Sequence, residues 1–189
     1  MTSYSIALDV ESTLADTGTP FRDEYESRNG WRPGEWTDWD FEDVDFDVRE
    51  YLEITGHNWK HNTGDIPPTE RNLAAKVFML YEDAEYLDIV TGRKGFQEYI
   101  EAWLATQGVA YDDYVEVDGQ AAKADLGYDI YIDDAPRHVD EIGDDQFLFL
   151  YDQPYNRDME LPANAVRVRS LAQAKNLIES ASGDIEAVA

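Results

Sequence analysis

The sequence has 189 residues, no cysteine, and 41 acids against 15 bases, for a net charge of −26. The missing cysteine excludes disulfides, thiolate zinc sites and cysteine nucleophiles. A field of that sign makes polymeric nucleic acid and anionic membranes poor partners. Apolar content of 43% and aromatic content of 13% suit one globular core with a modest insertion. The acids run along the whole chain and only five bases are Lys. Self-repulsion on this scale destabilises a compact state unless salt screens it, so the composition points to a halophilic, salt-rich cytoplasm. No basic amphipathic leader or apolar signal-like run opens the chain, and no apolar run approaches 18 residues, so a cytoplasmic location is expected.

The first element is a short strand over roughly Ser5 to Val10. Its apolar residues Ile6 to Leu8 give way to two carboxylates, Asp9 and Glu11, and then to Ser12 and Thr13. A buried strand ending in acids brings them to the carboxyl edge of a sheet, where open α/β sheets hold ligands. Two such acids suit a hard divalent cation, or a nucleophile with an acid/base helper.

Residues 16–69 change character: Trp, Tyr, Gly and acids dominate and strand-like runs are missing. Trp31, Trp36, Trp39, Phe41, Phe46, Tyr51, Leu52 and Trp59 are the apolar anchors, and Pro67-Pro68 closes the segment. The spacing of Val48, Tyr51 and Leu52 predicts short amphipathic helices. The segment reads as a mainly helical cap inserted after the first strand. Trp36, Trp39 and Trp59 are its core, or walls for a stacked planar ligand. His57 and His61 stand four apart, a metal-pair spacing on a helix, but without a nearby third ligand they read as surface residues.

From residue 70 the pattern becomes regular. Thr69 is expected to cap a helix that runs through Leu73, Ala74, Val77, Phe78 and Leu80-Tyr81, with Asn72 at the capping-box position. Tyr86 to Val90 is a strand ending in Thr91-Gly92-Arg93. Gly95 to Gln107 is a helix stopped by Gly108. Tyr114 to Val117 is a short strand, and Ile130 to Ile132 another, ending in Asp133-Asp134. A helix follows near Arg137 to Ile142, with His138 read as solvated. Strands over Gln146 to Leu150 and Val166 to Val168 and a helix over Leu171 to Ala181 complete the chain, and 183–189 are expected to fray. Alternating strands and helices predict an α/β, Rossmann-like core with a mostly parallel central sheet covered on both faces. The expected units are a core of 1–15 and 70–182 and a cap of 16–69.

In a parallel sheet the strand ends collect at one edge. Asp9, Glu11, Thr91 and the Asp133/Asp134 pair then meet, with Lys123 between the later strands. Mg²⁺ takes oxygen ligands and relies on one or two carboxylates plus substrate phosphate. Thr91 and Lys123 would bind phosphate oxygens.

This ordered set resembles the haloacid dehalogenase-like (HAD) hydrolase superfamily. The motifs are Asp9-Val10-Glu11-Ser12-Thr13-Leu14, Thr91, Lys123 and Asp133-Asp134. Tyr151-Asp152-Gln153-Pro154-Tyr155-Asn156-Arg157, with Leu161-Pro162 and Val166-Arg167-Val168, is similar to the tail of the cytosolic 5'(3')-deoxyribonucleotidase group. Trp36-Thr37-Asp38-Trp39-Asp40 is similar to another segment of it. The resemblance implies a phosphomonoesterase in which Asp9 forms an aspartyl-phosphate and the residue two along is the acid/base. Mg²⁺ would be held by Asp9, the Glu11 carbonyl and Asp133 or Asp134. Thr91 and Lys123 would steady the phosphate of a small metabolite, such as a nucleoside monophosphate; Gly92 lies beside them, and Arg93 is a further candidate because cations are scarce in this chain. The superfamily normally has Asp where Glu11 stands. One extra methylene displaces the carboxyl by about 1 to 1.5 Å, and misplacement on that scale costs about 100-fold in rate. A non-catalytic phospho-ligand binder and a 2-haloacid dehalogenase are the alternatives.

Overall fold

The structure, a computed structural model, describes residues 4–42, 44–118 and 123–186. Among the described residues six strands form one sheet: β1 (Tyr4–Leu8), β2 (Ala84–Thr91), β3 (Tyr114–Glu116), β4 (Ile130–Asp133), β5 (Phe147–Tyr151) and β6 (Ala165–Val168). Their order is β3-β2-β1-β4-β5-β6, and every pairing is parallel. Strand order reverses between β1 and β4. In an open α/β sheet that reversal opens a crevice at the carboxyl edge, and Asp9 and Asp133/Asp134 lie there.

The pleat sorts each strand between two faces. Ile6, Leu8, Ile130, Ile132, Phe149 and Tyr151 face the larger core. It receives Leu73, Val77 and Leu80 of α3 (Leu73–Tyr81), Ile100, Trp103 and Leu104 of α4 (Gln97–Gln107), and Leu171 and Ala174 of α6 (Leu171–Glu186). Ala7, Val90, Tyr131, Leu148 and Leu150 face the other side. There the cover differs from expectation: it is the short α5 (His138–Glu141), Tyr128 and partly buried Met159 and Leu161, rather than a layer of long helices.

Between β1 and β2 lie α1 (Gly18–Asn29) and α2 (Val48–His61). They enclose a separate aromatic cluster of Phe21, Tyr25, Phe46 and Ile54, flanked by Trp36, Phe41 and Tyr51. The chain leaves and re-enters the core at adjacent points: Asp16 N donates to Pro67 O (2.9 Å) and Thr69 N to Leu14 O (2.8 Å). Trp59 departs from the expected pattern. It is fully buried in the main core, edge-on to Trp103, so it neither builds the aromatic cluster nor offers a stacking face.

The start of α3 also differs. Thr69 does not cap it. The Thr69 hydroxyl donates to Thr13 O (2.7 Å), tying the return crossing to the loop after β1, and Asn72 enters the helix with φ +59°. Gly108 ends α4 as expected, with φ +71° and its N–H on Ala105 O and Leu104 O. Among the described residues no helix is long and apolar enough to cross a membrane.

Candidate active site

β1 ends at Leu8, two residues earlier than expected, and the chain then turns sharply. Leu14 N and Ala15 N both donate to Val10 O, and Ser12 sits at φ +61°. The Gln153 amide donates to Ser12 O (2.6 Å) and holds this turn against the loop after β5. Asp9 is thereby fixed with its N–H on Ile132 O of β4 (3.0 Å).

Three carboxylates meet in the crevice. Asp9, Asp133 and Asp134 are all buried, and each offers an oxygen within 4.8 Å of the others. Lys123, itself buried, donates to Asp9 Oδ1 (2.5 Å) and Asp133 Oδ2 (2.6 Å). Thr13 donates to Asp134 Oδ1 (3.1 Å) and the Tyr155 hydroxyl donates to Asp134 Oδ2. Asp133 Oδ1 accepts from Ala135 N (2.8 Å).

The electrostatics divide these acids. Burial pushes Asp9 well above the usual carboxylate range; Lys123 opposes this, while Asp133, Asp134 and Glu11 reinforce it. Burial and then Asp133 raise Asp134 to about 7. Asp133 goes the other way: burial pushes it up, yet His138, Lys123 and the Ala135 amide together hold it below its ordinary value. Burial also lowers His138, against the pull of Asp133. Lys123 is raised, because Asp133 and Asp9 outweigh its burial. Two carboxylates that resist ionisation beside a third that is charged are the donor set a hard dication would relieve. The residues present therefore fit Mg²⁺.

Glu11 has a different set of partners. Its Oε2 accepts from the Thr91 hydroxyl (3.0 Å), which in turn accepts from Arg93 N (3.0 Å). Its Oε1 is buried, makes no hydrogen bond, and lies 3.6 Å from Arg93 Nε. The Arg93 guanidinium also donates to Thr55 Oγ1 of α2 (3.0 Å) and sits 4.8 Å over the Phe96 ring.

A cavity of about 240 Å³ opens onto these groups. Asp9, Glu11, Gly92, Arg93, Lys123, Asp133 and Asp134 line its floor, and Trp36, Trp39, Phe41, Tyr51 and Tyr155 form aromatic walls. Every site residue expected from sequence except Thr91 lines this one cavity; Thr91 is fully buried and touches the site through its hydrogen bond to Glu11. His57 and His61 do not line it: both are exposed on α2 with rings 4.7 Å apart, and among the described residues no metal-ligating cluster includes them. His138 is corrected from solvated to buried, its Nδ1 3.5 Å from Asp133 Oδ2.

Three contributors were not legible beforehand. Tyr155 grips Asp134 and stacks parallel to Trp36 at 6.5 Å. Asn156 is fully buried and donates to Asp134 O (2.9 Å) and Tyr151 O (2.8 Å). Glu116 accepts from the amides of Gly95, Phe96 and Gln97 at 3.0 to 3.2 Å and so caps α4. The Tyr-Asn pair after β5 was visible as a motif, but nothing in spacing says which acid it serves.

No protein-family model matches the chain, and no curated protein matches it. Solved structures do. A predicted phosphatase from Clostridium acetobutylicum aligns with a TM-score of 0.60 at 14% identity, covering 95% of this chain and all of that one (100%). L-2-haloacid dehalogenase from Xanthobacter autotrophicus, with chloropropionic acid covalently bound, aligns at 0.58 and 12% identity over 94% and 99%. CbbY from Rhodobacter sphaeroides, in complex with xylulose-(1,5)bisphosphate, aligns at 0.55 and 15% over 91% and 96%. The chain has the α/β, Rossmann-like fold of the HAD-like hydrolases.

Proposed function

We propose that this protein is a Mg²⁺-dependent phosphomonoesterase acting on a small phosphorylated metabolite. The observation that carries the reading is the knot at the strand-order reversal, where Lys123 bridges Asp9 and Asp133 beside Asp134. Asp9 and Asp134 are the side chains that would hold the metal, with the Glu11 carbonyl. Asp133 is committed to the Lys123 ammonium and the Ala135 amide, whereas the oxygens of Asp134 accept only from the neutral Thr13 and Tyr155 hydroxyls. When bound, the metal supplies charge that lets a phosphate dianion approach three carboxylates.

The chain's own groups then have the following roles. An Asp9 carboxylate oxygen attacks phosphorus, and the bond to the ester oxygen breaks. Glu11 gives that oxygen its proton, and the alcohol leaves. The Glu11 carboxylate then takes a proton from water, whose oxygen attacks the aspartyl-phosphate; inorganic phosphate leaves and Asp9 is restored. Lys123 faces the transferred oxygens, and the Thr91 hydroxyl holds Glu11 in place.

The helical pair α1–α2 (with residues 16–69 as its bounds) acts as the cap. The aromatic walls it shares with Tyr155 suit a planar leaving group, so a nucleoside monophosphate is the favoured substrate class. The acidic surface suits a salt-rich cytoplasm. The test is turnover of a phosphomonoester panel in molar KCl with MgCl₂. Nucleoside monophosphates are expected to exceed sugar phosphates in kcat/KM by about 10-fold or more. A wild type no faster than Asp9→Asn on every ester would leave a phospho-ligand binder, the reading that the Glu11 position otherwise favours.

A further inference from the structure

Glu11 is too long for its position in the ordinary design, and it has an unusual anchor. One oxygen is bonded to Thr91; the other, buried and without a hydrogen bond, has Arg93 Nε at 3.6 Å. Arg93 is held from the opposite side by α2. Thr55, 1% exposed, accepts from Arg93 Nη2 at 3.0 Å while donating to Tyr51 O at 2.9 Å. The Phe96 ring lies under the guanidinium, and Lys60 of the same helix sits 5.1 Å over that ring. Gly56 brings α2 against this assembly: a Cβ there would stand 3.5 Å from Phe96 and 3.8 Å from Arg93 Nη2.

We propose that Arg93 is a positioning residue that latches α2 to the Glu11 carboxylate, so that the seat of the helical pair sets where the acid/base oxygen points. The guanidinium fork bonds Thr55 through one nitrogen and faces Glu11 with another, so a shift of α2 is passed on without a flexible step. The separation of 3.6 Å is an ion pair but not a hydrogen bond. Movement of α2 by a fraction of an ångström toward the floor closes it and fixes a side chain that otherwise has one more rotatable bond than Asp. The pair Glu11/Arg93 thus compensates for the missing Asp. The inference rests on the hydrolase reading above.

The experiment separates proton delivery from everything else. Thr55→Val removes the acceptor while keeping a β-branched side chain of the same size in α2. Two esters are compared in molar KCl with MgCl₂: an alkyl phosphate, whose leaving oxygen needs a proton, and 4-nitrophenyl phosphate, whose leaving group departs without one. The latch predicts that kcat for the alkyl ester falls about 10-fold in Thr55→Val and about 100-fold in Arg93→Met. The fall for the nitrophenyl ester is smaller by at least 10-fold in Arg93→Met, KM for the alkyl ester moves less than about 3-fold, and Thr55→Ser restores the rate. Equal losses on both esters, or a loss confined to KM, overturns it. If the wild type turns over neither ester, the hydrolase reading fails on its own. The latch is then judged by urea unfolding of Arg93→Met, Thr55→Val and the double variant. Non-additive midpoints support it, and additive ones refute it.

Discussion

Replacing Asp134 by Asn tests the electrostatics of the crevice without any substrate. In the metal-free protein the Asp134 carboxyl sits at about 7, against 3.8 in a free chain, because burial and the charged Asp133 disfavour its ionised form. A group raised in the folded state lends stability that is fully present below the unfolded value and is lost as pH rises through the folded one. Between about pH 4 and pH 7 that loss amounts to roughly 4 kcal/mol at 1.36 kcal/mol per pKa unit. Asn carries no charge and escapes it, but it can accept from only one of the Thr13 and Tyr155 hydroxyls. Subtracting about 1 to 2 kcal/mol for the misfit leaves a net gain of about 2 to 3 kcal/mol at pH 8 and none at pH 5. For a chain of this length that is a rise of roughly 4 to 12 °C in Tm. The assay is thermal unfolding in molar KCl with EDTA at both pH values, repeated with MgCl₂. Mg²⁺ at 100 times its Kd should raise the wild type by about 2.7 kcal/mol and leave Asp134→Asn nearly unmoved. A variant destabilised equally at pH 5 and pH 8 would refute the reasoning.

Further outcomes follow from individual contacts. Glu116→Ala strips the cap from three consecutive amides and should lower stability by about 1 to 3 kcal/mol, read as a lower urea midpoint at unchanged slope; an unchanged midpoint would contradict the cap. Asn156→Ala leaves the Asp134 and Tyr151 carbonyls buried without their donor and should cost about 2 to 3 kcal/mol, with weaker Mg²⁺ binding measured by calorimetry. The net charge of −26 should make Tm rise by about 4 to 8 °C between dilute buffer and molar KCl; equal midpoints would remove the argument for a halophilic design.

The fold was legible because its signals are local. Short apolar runs alternating with helical stripes give a parallel sheet, and a parallel sheet alone brings Asp9, Thr91 and Asp133 to one edge. What escaped was whatever depends on distant packing. Trp59 looked like the other tryptophans of its segment, and only the packing of α2 on α4 brings it edge-on to Trp103. His138 looked like a solvated residue at a helix start, but the second sheet face lacks a long helix, so α5 folds in and buries it. Thr69 carried a capping signal, yet the crossing chain offered Thr13 O instead. Tyr155 and Asn156 were visible as a motif, but their partner Asp134 lies about twenty residues earlier, and spacing does not name it. Glu11 was read from its length alone; Arg93 and Thr91 give that length a use.

The central claim is that Asp9 is a nucleophile. Wild type mixed with a ³²P-labelled phosphomonoester in molar KCl and MgCl₂, then quenched in acid during turnover, should carry label that peptide mapping assigns to Asp9. Label should be missing from Asp9→Asn. Steady turnover by the wild type with no label on Asp9 would contradict the account.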